Sequence, residues 1–73
     1  MIQWNRIILY RKDNCLACEL VRRRLVELNV PFEVRDFEGA VPILKIGEQT
    51  FFPPISTKTL KFNLDKYGKT MIE

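Results

Sequence analysis

The sequence predicts a small α/β domain of two layers, with a four-stranded mixed sheet and elements in the order β-α-β-β-β-α. Three observations lead there. A short apolar run rich in β-branched residues, Arg6-Ile7-Ile8-Leu9-Tyr10, is followed within a few residues by a helical pattern. Two further strand patterns lie beyond Pro31, and the second runs into a tight turn at Gly47-Glu48. A last amphipathic stretch opens at Ser56 or Thr57 and stops at Gly68. The 73 residues make one domain, 1–73.

Each element has a local cause. The first run, Arg6 to Tyr10, is nearly continuous in apolar residues, which suits a buried strand. Arg11-Lys12-Asp13-Asn14 is a polar turn, and Asp13 or Asn14 is a candidate cap for the helix that follows. From Cys15 to Leu28, the residues Ala17, Leu20, Val21, Leu25 and Leu28 recur at spacings of three and four, forming one apolar stripe. Glu19 and Arg23 form a favourable i,i+4 pair. Asn29 suits a left-handed position after the helix, and Pro31 forbids continuation.

Phe32 to Phe37 alternates as a strand, and Glu38-Gly39-Ala40 is a short connection. Val41 to Ile46 is the next strand, with Pro42 near its start, where a missing N–H is tolerated. Gly47-Glu48 turns the chain into Gln49-Thr50-Phe51-Phe52, which Pro53-Pro54 stops. Leu60, Leu64 and Tyr67 form the inner face of the last helix. Trp4 is read as a partly buried flank of the first strand; Phe51 and Phe52 face opposite sides of a strand, which makes one a candidate for exposure and partner contact, with core as the default for both. The first β-α-β unit is expected to be a parallel crossover and Val41–Phe52 an antiparallel hairpin.

Composition narrows the function. A net charge of +3 and pI near 9.1 permit acidic partners without requiring them. No histidine is present, which removes Cys–His and Ser–His catalysis and histidine metal ligands. No apolar run approaches the roughly 20 residues of a membrane span. The N-terminal residues lack a signal-peptide pattern, so a reducing, cytoplasmic location is expected. The run Arg22-Arg23-Arg24 reads as a solvated face, with a patch for an acidic partner as the sharper alternative. Nucleic acid is not an expected partner, because the aromatics fall mostly in strand patterns.

Cys15-Leu16-Ala17-Cys18 carries the chemistry. The pair follows a buried strand at the first turn of a helix, where free N–H groups and the helix dipole favour an anion. A thiolate at Cys15 is therefore expected, with Arg11 and Lys12 adding positive charge nearby. Cys18, one turn on, is placed to resolve a mixed disulfide formed on Cys15. The bridge closes too small a loop to stabilise the fold much by chain entropy. Inert core cysteines are one alternative. A metal or iron–sulfur site completed by a second chain is another, since zinc takes four ligands and this chain has two cysteines. Cys18-x5-Arg24 matches a phosphatase spacing, but the intervening residues are helical in pattern and hold no glycine to wrap phosphate.

With C-x-x-C after a strand and Val41-Pro42 opening a later one, the sequence resembles the glutaredoxins. It is most similar to small glutaredoxin-like proteins that lack the middle helix. The resemblance implies a truncated thioredoxin fold and a cis Pro42 packed near the cysteines. It also implies that the Val41 backbone docks an extended substrate. Substrate binding is accordingly expected at Val41, Pro42, Arg11 and Lys12, and catalysis at Cys15 (nucleophile) and Cys18 (resolver). Two departures stand out. The short link from Phe37 to Val41 must cross about 10 Å if the second and third strands flank the first; a plain hairpin at Glu38-Gly39 is the rival. The glycines and acidic residue that hold glutathione in the family are replaced by Phe51-Phe52-Pro53-Pro54-Ile55-Ser56.

The expected activity is thiol–disulfide exchange by a monomer with no bound cofactor. Its partners would be a disulfide-containing protein or small thiol, and a reductase or glutathione as electron donor. A non-catalytic thioredoxin-like binding module is the alternative.

Overall fold

The computed structural model describes residues 2–71. Its elements are β1 (Ile2–Trp4), β2 (Ile7–Arg11), α1 (Leu16–Glu27), β3 (Glu33–Asp36), β4 (Ile43–Ile46), β5 (Gln49–Phe51), α2 (Thr57–Asn63), a π-helical turn (Leu64–Gly68) and β6 (Lys69–Met71). The expected β-α-β-β-β-α order lies inside this list as β2 to α2. Two short strands flank it.

The main sheet has the order β3-β2-β4-β5. Strand β2 pairs parallel with β3, from Ile8↔Glu33 to Arg11↔Asp36. It pairs antiparallel with β4, from Ile7↔Ile46 to Tyr10↔Ile43. Strand β5 returns antiparallel to β4 through the two-residue turn Gly47-Glu48. Gly47 has φ +60°, which the first central position of this hairpin turn requires.

The chain between β3 and β4 therefore crosses the end of β2 and does not form the rival hairpin. Three contacts hold the crossing. The Phe37 N–H donates to the Arg11 carbonyl at 2.7 Å. Lys12 Nζ donates to the Gly39 carbonyl at 3.2 Å. The Phe37 ring meets Tyr10 edge-on at 6.0 Å. Gly39 lies so close beneath that ring that a Cβ would sit 2.6 Å from Phe37 Cε2.

The core occupies one face of the sheet. Ile7, Leu9, Leu44 and Ile46 alternate onto it and meet Val21, Leu25, Val30, Leu60 and Leu64. The opposite face carries Ile8, flanked in register by Glu33 and Lys45. Among the described residues no helix contributes to that face. Ile8 is nonetheless only 6% exposed. Arg6 and Arg35 both bond Glu33 there, at 2.9 and 3.1 Å, and the hydrocarbon stems of such side chains shield apolar surface.

Four expectations are corrected. The buried stripe of α1 is Cys18, Val21 and Leu25, with Leu28 half-buried; Ala17 and Leu20 face solvent. A helix this short against one sheet face buries a single row, and those two residues lie to one side of it. Phe52 is 68% exposed rather than core, because it lies past the end of β5 and only Phe51 turns inward, against Tyr67. Arg22 rather than Arg23 is the main partner of Glu19, with Arg23 at 3.9 Å. Finally, Trp4 belongs to a strand: β1 pairs antiparallel with β6 in a ribbon of its own. Trp4 is half-buried against the core, as expected of a flank. The ribbon is tied down by Asn5, whose N–H reaches the Gly68 carbonyl at 2.8 Å and whose Nδ2 reaches the Tyr67 carbonyl at 2.7 Å.

Candidate functional site

Strand β2 delivers the chain to the site. Beyond Arg11 the backbone turns, and Asn14 takes the left-handed conformation at φ +59°, which asparagine tolerates better than most residues. Cys15 then returns to extended backbone, φ −111° and ψ 99°, as the N-cap of α1. Its Sγ accepts the Cys18 N–H at 3.1 Å and its carbonyl accepts the Glu19 N–H at 3.2 Å. The cap is thus the cysteine itself, which corrects the expectation of Asp13 or Asn14. Asn14 forms the turn, and the Asp13 carboxylate reaches Arg11 at 3.4 Å instead.

Cys15 and Cys18 are joined as a disulfide, with Cα atoms 5.3 Å apart. The two sulfurs stand in different surroundings. Cys18 is 2% exposed, whereas Cys15 is half-exposed at the helix tip. Any attacking thiol meets Cys15.

The other predicted site residues gather at this end of the sheet. Because Tyr10 is paired with Ile43, Val41 and Pro42 lie just beyond the end of β2. Their peptide bond is cis, Pro42 is buried and Val41 is half-buried. Pro53-Pro54 is a second cis bond, which the sequence reading did not anticipate. Arg11 is engaged by carboxylates: Asp36 at 3.0 Å and Asp13 at 3.4 Å. Its charge beside the cysteines is therefore partly offset. Lys12 reaches the crossing at Gly39.

Three exposed apolar side chains at this end were not singled out as site residues. Leu16 is 75% exposed, Phe37 42% and Phe52 68%. For Leu16 the signal was present, since it lies off the row set by Cys18, Val21 and Leu25. For Phe52 it was present in part, since Phe51 and Phe52 face opposite sides of one strand; for Phe37 it was not, because exposure at a strand end depends on which strand becomes an edge. Glu19 in the first helical turn is held ionised below the usual carboxylate range, first by its hydrogen bonds from Arg22. Arg22 is correspondingly raised.

Comparison with protein-family models, curated proteins and solved structures returned no significant match.

The chemistry open to the site follows from its own geometry. The bonded pair is a two-electron centre with one shielded and one accessible sulfur. Among the described residues no three His, Cys, Asp or Glu side chains converge as a metal-binding group. Likewise, no helix among them is long and apolar enough to cross a membrane.

Proposed function

We propose that this chain is a thiol–disulfide oxidoreductase of the glutaredoxin-like kind, built on a truncated thioredoxin fold. One observation carries the reading: a Cys-x-x-Cys disulfide whose half-buried member caps a helix and whose fully buried member lies one turn inside it. The position of Val41-Pro42 at the same sheet end supports it.

In the reduced protein the Cys15 thiolate attacks a substrate disulfide. The substrate S–S bond breaks, a mixed disulfide forms on Cys15, and one substrate thiolate leaves. Cys18, having given its proton to that thiolate or to water, attacks the Cys15 sulfur. The second substrate thiol departs and the Cys15–Cys18 bond closes, so the substrate gains the two electrons that the pair loses. A dithiol reductase or glutathione restores the pair. Cys15 is the nucleophile and Cys18 the resolver. The Val41 backbone aligns the substrate beside Pro42, and Arg11 and Lys12 border the approach. A cytoplasmic setting fits, since thiols are kept reduced there.

Trapping with a disulfide-linked peptide tests the scheme. Cys18→Ser should accumulate the mixed disulfide, whereas Cys15→Ser should form none. The Cys15 thiol of the reduced protein should titrate below about 8.5. Equal trapping by both variants, or one zinc per two chains after purification without chelator, would overturn the reading.

A further inference from the structure

The last helical segment holds a feature unrelated to the cysteines. Between Thr57 and Lys69 stand four lysines and a single aspartate. The remainder of the chain carries eight basic and eight acidic residues, so the entire net charge of +3 resides in this segment. Asp65 pairs with Lys69 at 3.2 Å. Lys58, Lys61 and Lys66 have no carboxylate within ion-pair distance among the described residues. In their midst Phe62 is 64% exposed, one helical turn from both Lys58 and Lys66. The Lys66 ammonium stands 6.0 Å from the Phe62 ring centre and 5.2 Å from that of Tyr67.

Beyond the Lys66 contact, an exposed phenyl ring among lysines with no carboxylate partner among the described residues contributes little to the fold. It has the form of an interface anchor, in which a central aromatic is desolvated within a polar rim. Lysine presents a compact point charge that attracts carboxylates without fixed geometry, whereas arginine's planar fork grips carboxylate and phosphate alike in bidentate pairs. The patch contains no arginine. All six arginines elsewhere have a carboxylate within ion-pair distance: Arg6, Arg11, Arg22, Arg23, Arg24 and Arg35. A single aromatic also offers little to a nucleic-acid strand, whose bases stack on successive rings.

We infer that the face formed by Lys58, Lys61, Phe62 and Lys66 docks an acidic partner protein, which sets carboxylates against the lysines and an apolar side chain on Phe62. This surface stands whether or not the cysteine pair turns over.

A fluorescein-labelled twelve-residue peptide, with glutamates flanking a central Leu-Leu, is the first probe, titrated into ¹⁵N-labelled protein. Amide shifts should be confined to residues 58–69, and affinity should fall as salt rises from 0.05 to 0.3 M, as screening predicts. Phe62→Ala should weaken binding by at least about tenfold. The triple change K58E/K61E/K66E should abolish it. These positions are solvent-exposed, so both variants should keep the parent's circular dichroism and disulfide cycling. The inference fails if no shifts appear, if they map elsewhere, or if Phe62→Ala binds as the parent does. It also fails if a twelve-residue oligothymidine or phosphatidylserine vesicles bind the same residues more tightly than the peptide.

Discussion

Cys15 is both the cap of α1 and the less buried half of the disulfide. Its Sγ accepts the Cys18 N–H, so a sulfur closes the helix start. The sequence pattern placed both cysteines at this helix tip, but a sulfur cap is not a strong local signal beside Asp13 and Asn14. Positive-φ residues were easier to read. Asn29, at φ +56°, and Gly47, at φ +60°, occupy the turns where their types predict them. Gly47→Ala should cost about 1–2 kcal/mol, because an added Cβ is strained in the left-handed region. A urea titration measures it, and an unchanged midpoint would show that the turn does not need the glycine.

Elements with strong periodicity were legible, and those defined by distant pairing were not. Helix α1, the β4–β5 hairpin and the cap of α2 at Ser56 follow from local pattern; Ser56 Oγ accepts the Lys58 N–H at 3.2 Å. The β1–β6 ribbon has three residues in each strand and joins chain segments more than sixty residues apart. Such pairing leaves little period to detect. The row that α1 buries makes a sharp test. Leu25 is fully buried, so Leu25→Ala should cost about 2–5 kcal/mol, whereas Leu20→Ala, on the exposed side, should fall within about 0.5. Similar losses at both positions would mean that the helix packs through a wider face.

At the scale of the molecule, the main uncertainty in the sequence was whether so short a link crosses the sheet. It does, because Arg11, Lys12 and Phe37 fasten it over the end of β2. The uncovered sheet face is lined with ion pairs instead of a helix. Glu33 is held below the usual carboxylate range, chiefly by its hydrogen bond from Arg6 and then that from Arg35. Its folded pKa is depressed, so this contribution is present above the unfolded value of about 4.3 and is lost as pH falls through the folded value. Glu33→Gln should therefore lose less stability than the parent between pH 6 and pH 3, read as the shift in urea midpoint. The effect is small, since the pair is exposed. An identical shift in both proteins would remove Glu33 from the acid response.

The confinement of the excess charge to Thr57–Lys69, which is α2, its π-helical turn and the first residue of β6, has a consequence for how the molecule meets any charged boundary. This stretch is a cationic cap, while the basic and acidic residues of the remaining sequence balance in number. On a sulfonated resin or a negatively charged electrode it should land in one orientation, cap down, with the rest of the chain turned outward.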